Sequence, residues 1–217
     1  MTEVHSIADD LLATDRPAGA SDPAIALAAT IVSRICHDLV SPLGALANGV
    51  ELLALSGEEP SPEMQLIAQS VESANARVRF FRLAYGACSD QVVGRSELSR
   101  LLASMSRSGR IAYDWPLTVE QPRRIVQVMF LVFQCLESAL PAGGRIVVRP
   151  RGSRWEVTAD GPRLRLNPTA WDCLGLPRTP PPAGPSLVQF GLLATALADS
   201  RRQIEFDFGP DRIVARF

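Results

Sequence analysis

The chain has 217 residues, 47% of them hydrophobic and 21% charged, with a formal net charge of −1. That balance excludes a disordered chain, a collagen-like repeat and a minimal disulfide scaffold, and it leaves room for one domain or two small ones. A near-neutral total carries no global basic field, so nucleic acid is not an expected partner.

The two halves differ in charge. Residues 1–90 carry 12 acids and 5 arginines, a net −7, whereas residues 91–217 carry 11 acids and 17 arginines, a net +6. All 22 basic residues are arginine, a matter of genome composition rather than mechanism. Cys36, Cys88, Cys135 and Cys173 include no C-x-x-C pair, and with two histidines a zinc site is not expected. Reduced thiols, no signal peptide and no run long enough to span a bilayer point to a cytoplasmic protein without a membrane partner.

Residues 1–22 hold five acids and one arginine and read as a flexible N-terminal tail; His5 within it has no assigned role. From Pro23 to about Ser56 apolar or small residues recur at Ala28, Ile31, Ile35, Leu39, Leu43, Leu46, Val50 and Leu53, the spacing of one long helix. Pro42 should kink it without ending it, because the stripe continues beyond. Gly57–Pro60 is a loop. Ser61-Pro62-Glu63 reads as an N-cap, a proline at the first helical position and an acid in the first turn. The second helix carries Met64, Ile67, Val71, Ala74, Val78, Phe81 and Tyr85 as a packing seam and stops at Gly86. Two long antiparallel helices leave apolar stripes uncovered. The economical cover is a homodimer in which two hairpins form a four-helix bundle.

After about Gln91 the pattern turns mixed. Ser96–Arg107 reads as a helix, Ile111–Trp115 as a strand and Arg123–Leu140 as a strongly apolar helix. Residues 145–149, 154–158 and 163–166 alternate like strands. Pro177–Pro185 is a loop, Ser186–Asp199 a helix, and 203–208 with 212–217 a terminal hairpin around Gly209-Pro210. The organisation is thus a tail over 1–22, a helical hairpin over 23–90 and an α/β sandwich over 91–217, its helices on one face of its sheet.

His37 lies two residues after Ile35 and two before Leu39. At about 100° per residue it points nearly opposite the apolar stripe, out toward solvent on a rigid helix. Arg34 and Ser33 lie one turn before it; Val40, Ser41, Gly44 and Asn48 follow. Small and polar neighbours leave a flat face that another protein can approach. Neutral imidazole is a nucleophile near pH 7. Asp38 can hold its second nitrogen or assist proton transfer, Arg34 can stabilise a bound phosphoryl group, and Ser41 can contact a partner's water or phosphate. Each of these residues is equally at home as helix-surface polarity; their clustering around one histidine carries the functional reading.

His37-Asp-Leu-x-x-Pro42 resembles the H-box of histidine-kinase dimerisation domains. The longer string Arg34-Ile-Cys-His-Asp-Leu-Val-Ser-Pro-Leu-Gly-Ala-Leu-Ala-Asn-Gly-Val-Glu-Leu-Leu53 is similar to the ChpT-type histidine phosphotransferases of alphaproteobacteria, a resemblance that extends over about residues 23–217. It implies that His37 is the phosphoacceptor. The phosphoryl group would come from the receiver domain of a hybrid histidine kinase and pass to response-regulator receiver aspartates of the CtrA and CpdR kind in a cell-cycle relay. The receiver would bring the aspartate and the Mg²⁺, so this chain would need no cofactor and no metal of its own.

The same resemblance implies a kinase-like second half without a working ATP site. Where kinases carry asparagines this chain reads Phe133-Gln-Cys-Leu-Glu-Ser-Ala-Leu-Pro-Ala-Gly-Gly144, with Gln134 and Ser138 in their place. The Asp-x-Gly-x-Gly box is reduced to Asp160-Gly-Pro-Arg163, the last glycine box to Phe190-Gly-Leu-Leu193, and the lid to the proline loop. Pro162 and Arg163 oppose the close backbone approach that cradling a phosphate needs. Three readings remain open on the residues: a phosphorelay carrier, an ATP-using histidine kinase, and a non-catalytic adaptor that binds receivers. The arginine-rich second half either attracts acidic receivers or is a solvated surface.

Overall fold

The computed structural model describes residues 23–55, 61–87, 89, 91–175 and 184–217. The expected N-terminal tail with His5, the loop before Ser61, Cys88 and most of the proline-rich stretch lie outside the described residues.

The first helix, α1 (Pro23–Ala54), runs through Pro42 without a break and spans about 48 Å. The second, α2 (Pro62–Tyr85), starts as its cap sequence dictates: Ser61 Oγ accepts from Met64 N at 3.3 Å, with Pro62 in the first turn. Gly86 closes it, its N–H returning to Arg82 O. The two helices pack side by side through Cys36 and the half-buried Leu43, Ala47 and Val50 of α1. The aliphatic stripe read from the sequence divides: Leu43 and Val50 lie in this contact, and the other large members do not. Ile31, Ile35, Leu39, Leu46 and Leu53 are all exposed, as are Leu66 and Ile67 on α2.

The C-terminal half of α2 buries Val78 of the expected seam and a second set, Ala76, Phe80, Leu83 and Ala84, which joins the core of the α/β unit. Phe80 stacks on Phe130 with ring centroids 4.6 Å apart. That unit runs β1 (Val92–Val93), α3 (Arg95–Ser108), β2 (Ile111–Asp114), β3 (Gln121–Pro122), α4 (Arg123–Ser138), β4 (Gly144–Arg151), β5 (Arg154–Asp160), α5 (Pro168–Gly175), a 3-10 turn, α6 (Val188–Asp199), β6 (Glu205–Phe208) and β7 (Arg212–Arg216). The main sheet has order β2-β4-β5-β7-β6, with β2 and β4 parallel and the other pairs antiparallel.

Period-two alternation sorts this sheet into two faces. Ile146, Val148, Val157, Ala159, Ile213 and Ala215 point inward and are fully buried against the helical layer, with Phe130, Phe133, Leu136, Phe190 and Leu193 in the same core. The outward positions carry ion pairs. Arg145 and Arg149 both reach Asp114, Arg151 and Arg216 both reach Glu156, Arg212 pairs with Asp160 and Arg154 with Glu205. Much of the positive excess of this half is therefore laid out as a paired, solvated ladder on the open face.

Three features depart from the sequence reading. Residues 163–166 form no strand: both edges of β5 are already paired, and this segment crosses the end of α4, where Arg165 N donates to Ala139 O at 3.0 Å. The helix α5 follows at once, capped by Asn167, whose Oδ1 accepts from Ala170 N at 3.2 Å, with Pro168 in the first turn. The same signature marks the start of α2. A separate antiparallel pair, β1 with β3, brings the start of α4 back to the end of α2.

Candidate functional site

His37 stands midway along α1 with its side chain 81% exposed. Its Nδ1 lies 3.2 Å from Asp38 Oδ1. A carboxylate only accepts, so in the neutral ring this contact places the proton on Nδ1 and the lone pair on Nε2. The other Asp38 oxygen accepts from Arg34 Nε at 2.9 Å, an i, i+4 pair along the same helix. The hydrogen bond with His37, followed by the Arg34 guanidinium, holds the Asp38 carboxyl below its ordinary range. Arg34, His37 and Asp38 thus form one exposed chain of polar contacts.

The remaining expected residues share this side of α1. Ser41 and Asn48 are exposed, Val40 is 37% exposed and Gly44 is half-buried. At about 100° per residue, His37, Ser41, Gly44 and Asn48 lie within one stripe, roughly opposite Ile35, Leu46 and Leu53. A Cβ built on Gly44 meets nothing within 4 Å. One turn further along, a groove of about 550 Å³ opens between α1, α2 and α3, lined by Ala47, Val50, Val71, Arg79, Arg100 and Arg107 among others.

The residues that the resemblance set against the kinase boxes have partners within the chain. Gln134 Oε1 accepts from Tyr85 OH at 2.7 Å, across the contact between α2 and α4. Burial pushes the Tyr85 phenol up to about 12, so it keeps the proton it donates. Ser138 Oγ donates to Cys135 O in its own helix at 2.6 Å, and Asp160 is paired with Arg212. The surviving glycines serve close packing. A Cβ on Gly143, where φ is +83°, would lie 2.3 Å from Arg110 O, and one on Gly161 would lie 2.4 Å from Leu140 Cδ2.

The sequence reading missed the joint between the two units. Arg123 is buried, and its guanidinium donates to Leu83 O at 2.6 Å and Arg82 O at 2.8 Å. Gln127 Nε2 donates to Gly86 O at 3.0 Å and Ala84 O at 3.4 Å. Two side chains of α4 therefore satisfy the carbonyls left open at the end of α2. A signal was present. Arg123-Arg124 opens an apolar helix at the end where cations are disfavoured, and the first turn holds no acid. A half-buried cluster joins Glu137 to Tyr113, whose hydroxyl donates to it, and to Arg77 at 3.6 Å. Burial raises both the Glu137 carboxyl and the Tyr113 phenol.

No described helix is long and apolar enough to cross a membrane. Comparison with known proteins gives a consistent result. Residues 95–212 match the family described as the histidine phosphotransferase C-terminal domain. The protein phosphotransferase ChpT of Brucella abortus (strain 2308) is 34% identical over 152 residues, 67% of this chain and 72% of the relative. A 1.7 Å structure of a bacterial phosphotransferase superposes with TM-score 0.65 at 26% identity, over 91% of this chain and 98% of that one. Full-length ShkA in complex with AMPPNP aligns at TM-score 0.41 and 15% identity, over 85% of this chain and 44% of that one. The chain belongs to the histidine phosphotransferase family and is a ChpT-type phosphotransferase of phosphorelay signalling.

Proposed function

We propose that His37 is the phosphoacceptor and that the protein carries phosphoryl groups between receiver domains. The observation that carries this reading is the hydrogen bond from Nδ1 to Asp38 on an exposed ring, which leaves the Nε2 lone pair facing solvent. In the forward step Nε2 attacks the phosphorus of a receiver's aspartyl phosphate. The P–N bond forms, the P–O bond to the aspartate breaks, and the carboxylate leaves. Nδ1 keeps its proton, so the phosphorylated ring gains positive character, which the ionised Asp38 offsets. Arg34 lies one turn away as a positive partner for phosphoryl oxygens. Transfer to a second receiver reverses these steps. Positioning and charge supply the rate, which suits a carrier with no machinery of its own.

The partners are the receiver domain of a hybrid histidine kinase and the receivers of response regulators. They would bear on the stripe His37, Ser41, Gly44 and Asn48, whose small and polar side chains leave the imidazole open to approach. The chain acts as a homodimer. Ile31, Ile35, Leu39 and Leu46 form an exposed aliphatic stripe on the side of α1 away from His37, which a second hairpin would cover as a four-helix bundle. The C-terminal unit works without nucleotide, a reading supported by the internal partners of Gln134, Ser138 and Asp160.

The test is transfer of label from a phosphorylated receiver, run beside labelled ATP, for the natural chain and His37→Gln. Label from the receiver alone, lost in His37→Gln, is the expected result. Label from ATP would make the protein a kinase. Receiver binding without label would make it an adaptor.

A further inference from the structure

The hydrogen bond of His37 goes to its own helix and its side chain is 81% exposed, so where the ring stands is set by where α1 stands. Pro42 makes α1 a poor ruler. It has no N–H, the backbone bond back to the Asp38 carbonyl is missing, and the half of the helix carrying His37 is loosened from the half beyond.

That upstream half has its own anchor. Ala87 N donates to Ser33 Oγ at 3.2 Å, one turn before His37. On the other side of Pro42, Asn75 Nδ2 reaches Leu43 O at 3.5 Å. The Ser33 contact tolerates only glycine at position 86. A Cβ there would lie 2.5 Å from Arg82 O and 3.1 Å from Ser33 Oγ, pushing α1 away. The segment that grips Ser33 is in turn gripped from α4, by Gln127 on the Gly86 and Ala84 carbonyls and by Arg123 on Leu83 and Arg82. Arg123 also brings a buried positive charge to the negative end of α2.

We infer that Gln127 and Arg123 are positioning residues for phosphotransfer: across the C-cap of α2 they hold Ser33, and with it the register of the His37 segment. The inference rests on His37 being the phosphoacceptor. It assigns the kinase-like unit a task that needs no nucleotide, namely to hold the nucleophile's helix at a fixed height.

The test uses the full chain with Ser33→Ala, Gln127→Ala and the double variant, and a phosphorylated receiver domain as donor. Single-turnover transfer is followed against receiver concentration, together with amide hydrogen exchange along α1. Each single variant should lower the saturated rate about tenfold, since a displacement near 1 Å can cost about a hundredfold. The half-saturating receiver concentration should stay within about twofold, the split expected when alignment rather than binding is lost. Exchange should quicken at residues 34–41 more than in α4. Because both side chains act through one joint, the double variant should fall no further than the weaker single. Unchanged rates, a shift in half-saturation alone, additive losses, or exchange raised evenly over the chain would each overturn the inference. Label mapped away from His37 in the natural chain would overturn the phosphoacceptor reading and this inference with it.

Discussion

Gly44→Ala should raise the melting temperature and weaken phosphotransfer in the same molecule. Glycine inside a helix costs about 1 kcal/mol relative to alanine, because it surrenders more backbone freedom on folding. That cost is usually tolerated where a neighbouring element needs the space. At Gly44 no such neighbour exists among the described residues: an added Cβ meets nothing within 4 Å. The substitution should therefore stabilise the hairpin by about 1 kcal/mol, a rise of about 2–4 °C for a chain of this size. The demand for glycine then comes from outside. Gly44 lies two turns beyond His37 on the same stripe, roughly opposite the aliphatic stripe that the second protomer is proposed to cover. A methyl group there would hold a docked receiver away from the imidazole, and a displacement near 1 Å can cost about a hundredfold in rate. The assays are thermal unfolding and a transfer titration against receiver concentration, run on the same preparation. A higher melting point with undiminished transfer would refute the docking role of this stripe. A lower melting point would refute the packing argument itself.

Two further outcomes can be checked in the same preparations. Glu137 is half-buried beside Tyr113 and Arg77, and burial raises its carboxyl above the ordinary 4.5. The folded state therefore holds this proton more tightly than the unfolded chain does. The stability this provides is complete below about pH 4.5 and is lost as pH rises through the raised value. Glu137→Gln keeps an acceptor for the Tyr113 hydroxyl and removes the titration, so its stability relative to the natural chain should improve from about pH 4.5 to about pH 7 in urea unfolding; a constant difference would remove Glu137 as the titrating group. Ile35→Asp places a charge in the centre of the exposed aliphatic stripe, where Ile35 is 52% exposed. In the proposed dimer each protomer would lose about 1.5–3 kcal/mol of apolar burial at the seam, so sedimentation should show a dimer for the natural chain and a monomer for the variant. A persisting dimer would move the interface elsewhere.

What the sequence determined by itself was local. Ser61-Pro62-Glu63 starts α2 because a cap needs only the three residues after it. Alternation over 145–149 and 154–158 foretold two of the strands, because a strand turns its side chains over at every step. The outward position of His37, and Asp38 beside it, followed from the helical repeat alone. Asn167-Pro168 carried an equally local signal for α5, obscured by the alternation just before it. The tertiary structure decided what depends on distant segments meeting. The partner of Tyr85 is Gln134, and the carbonyls of Arg82 and Leu83 are capped by Arg123, some forty residues on. Along α2 the seam read from the sequence is buried at Val78, half-buried at Met64, Val71, Ala74, Phe81 and Tyr85 and exposed at Ile67, while a second set, Ala76, Phe80 and Leu83, lies in the core that contains α4. Periodicity reports which side of an element is apolar. Which other element covers that side is settled by packing over the whole chain, so the joint behind His37 became visible only in the folded molecule, as did the division of the α1 stripe into a half-buried part against α2 and an exposed part.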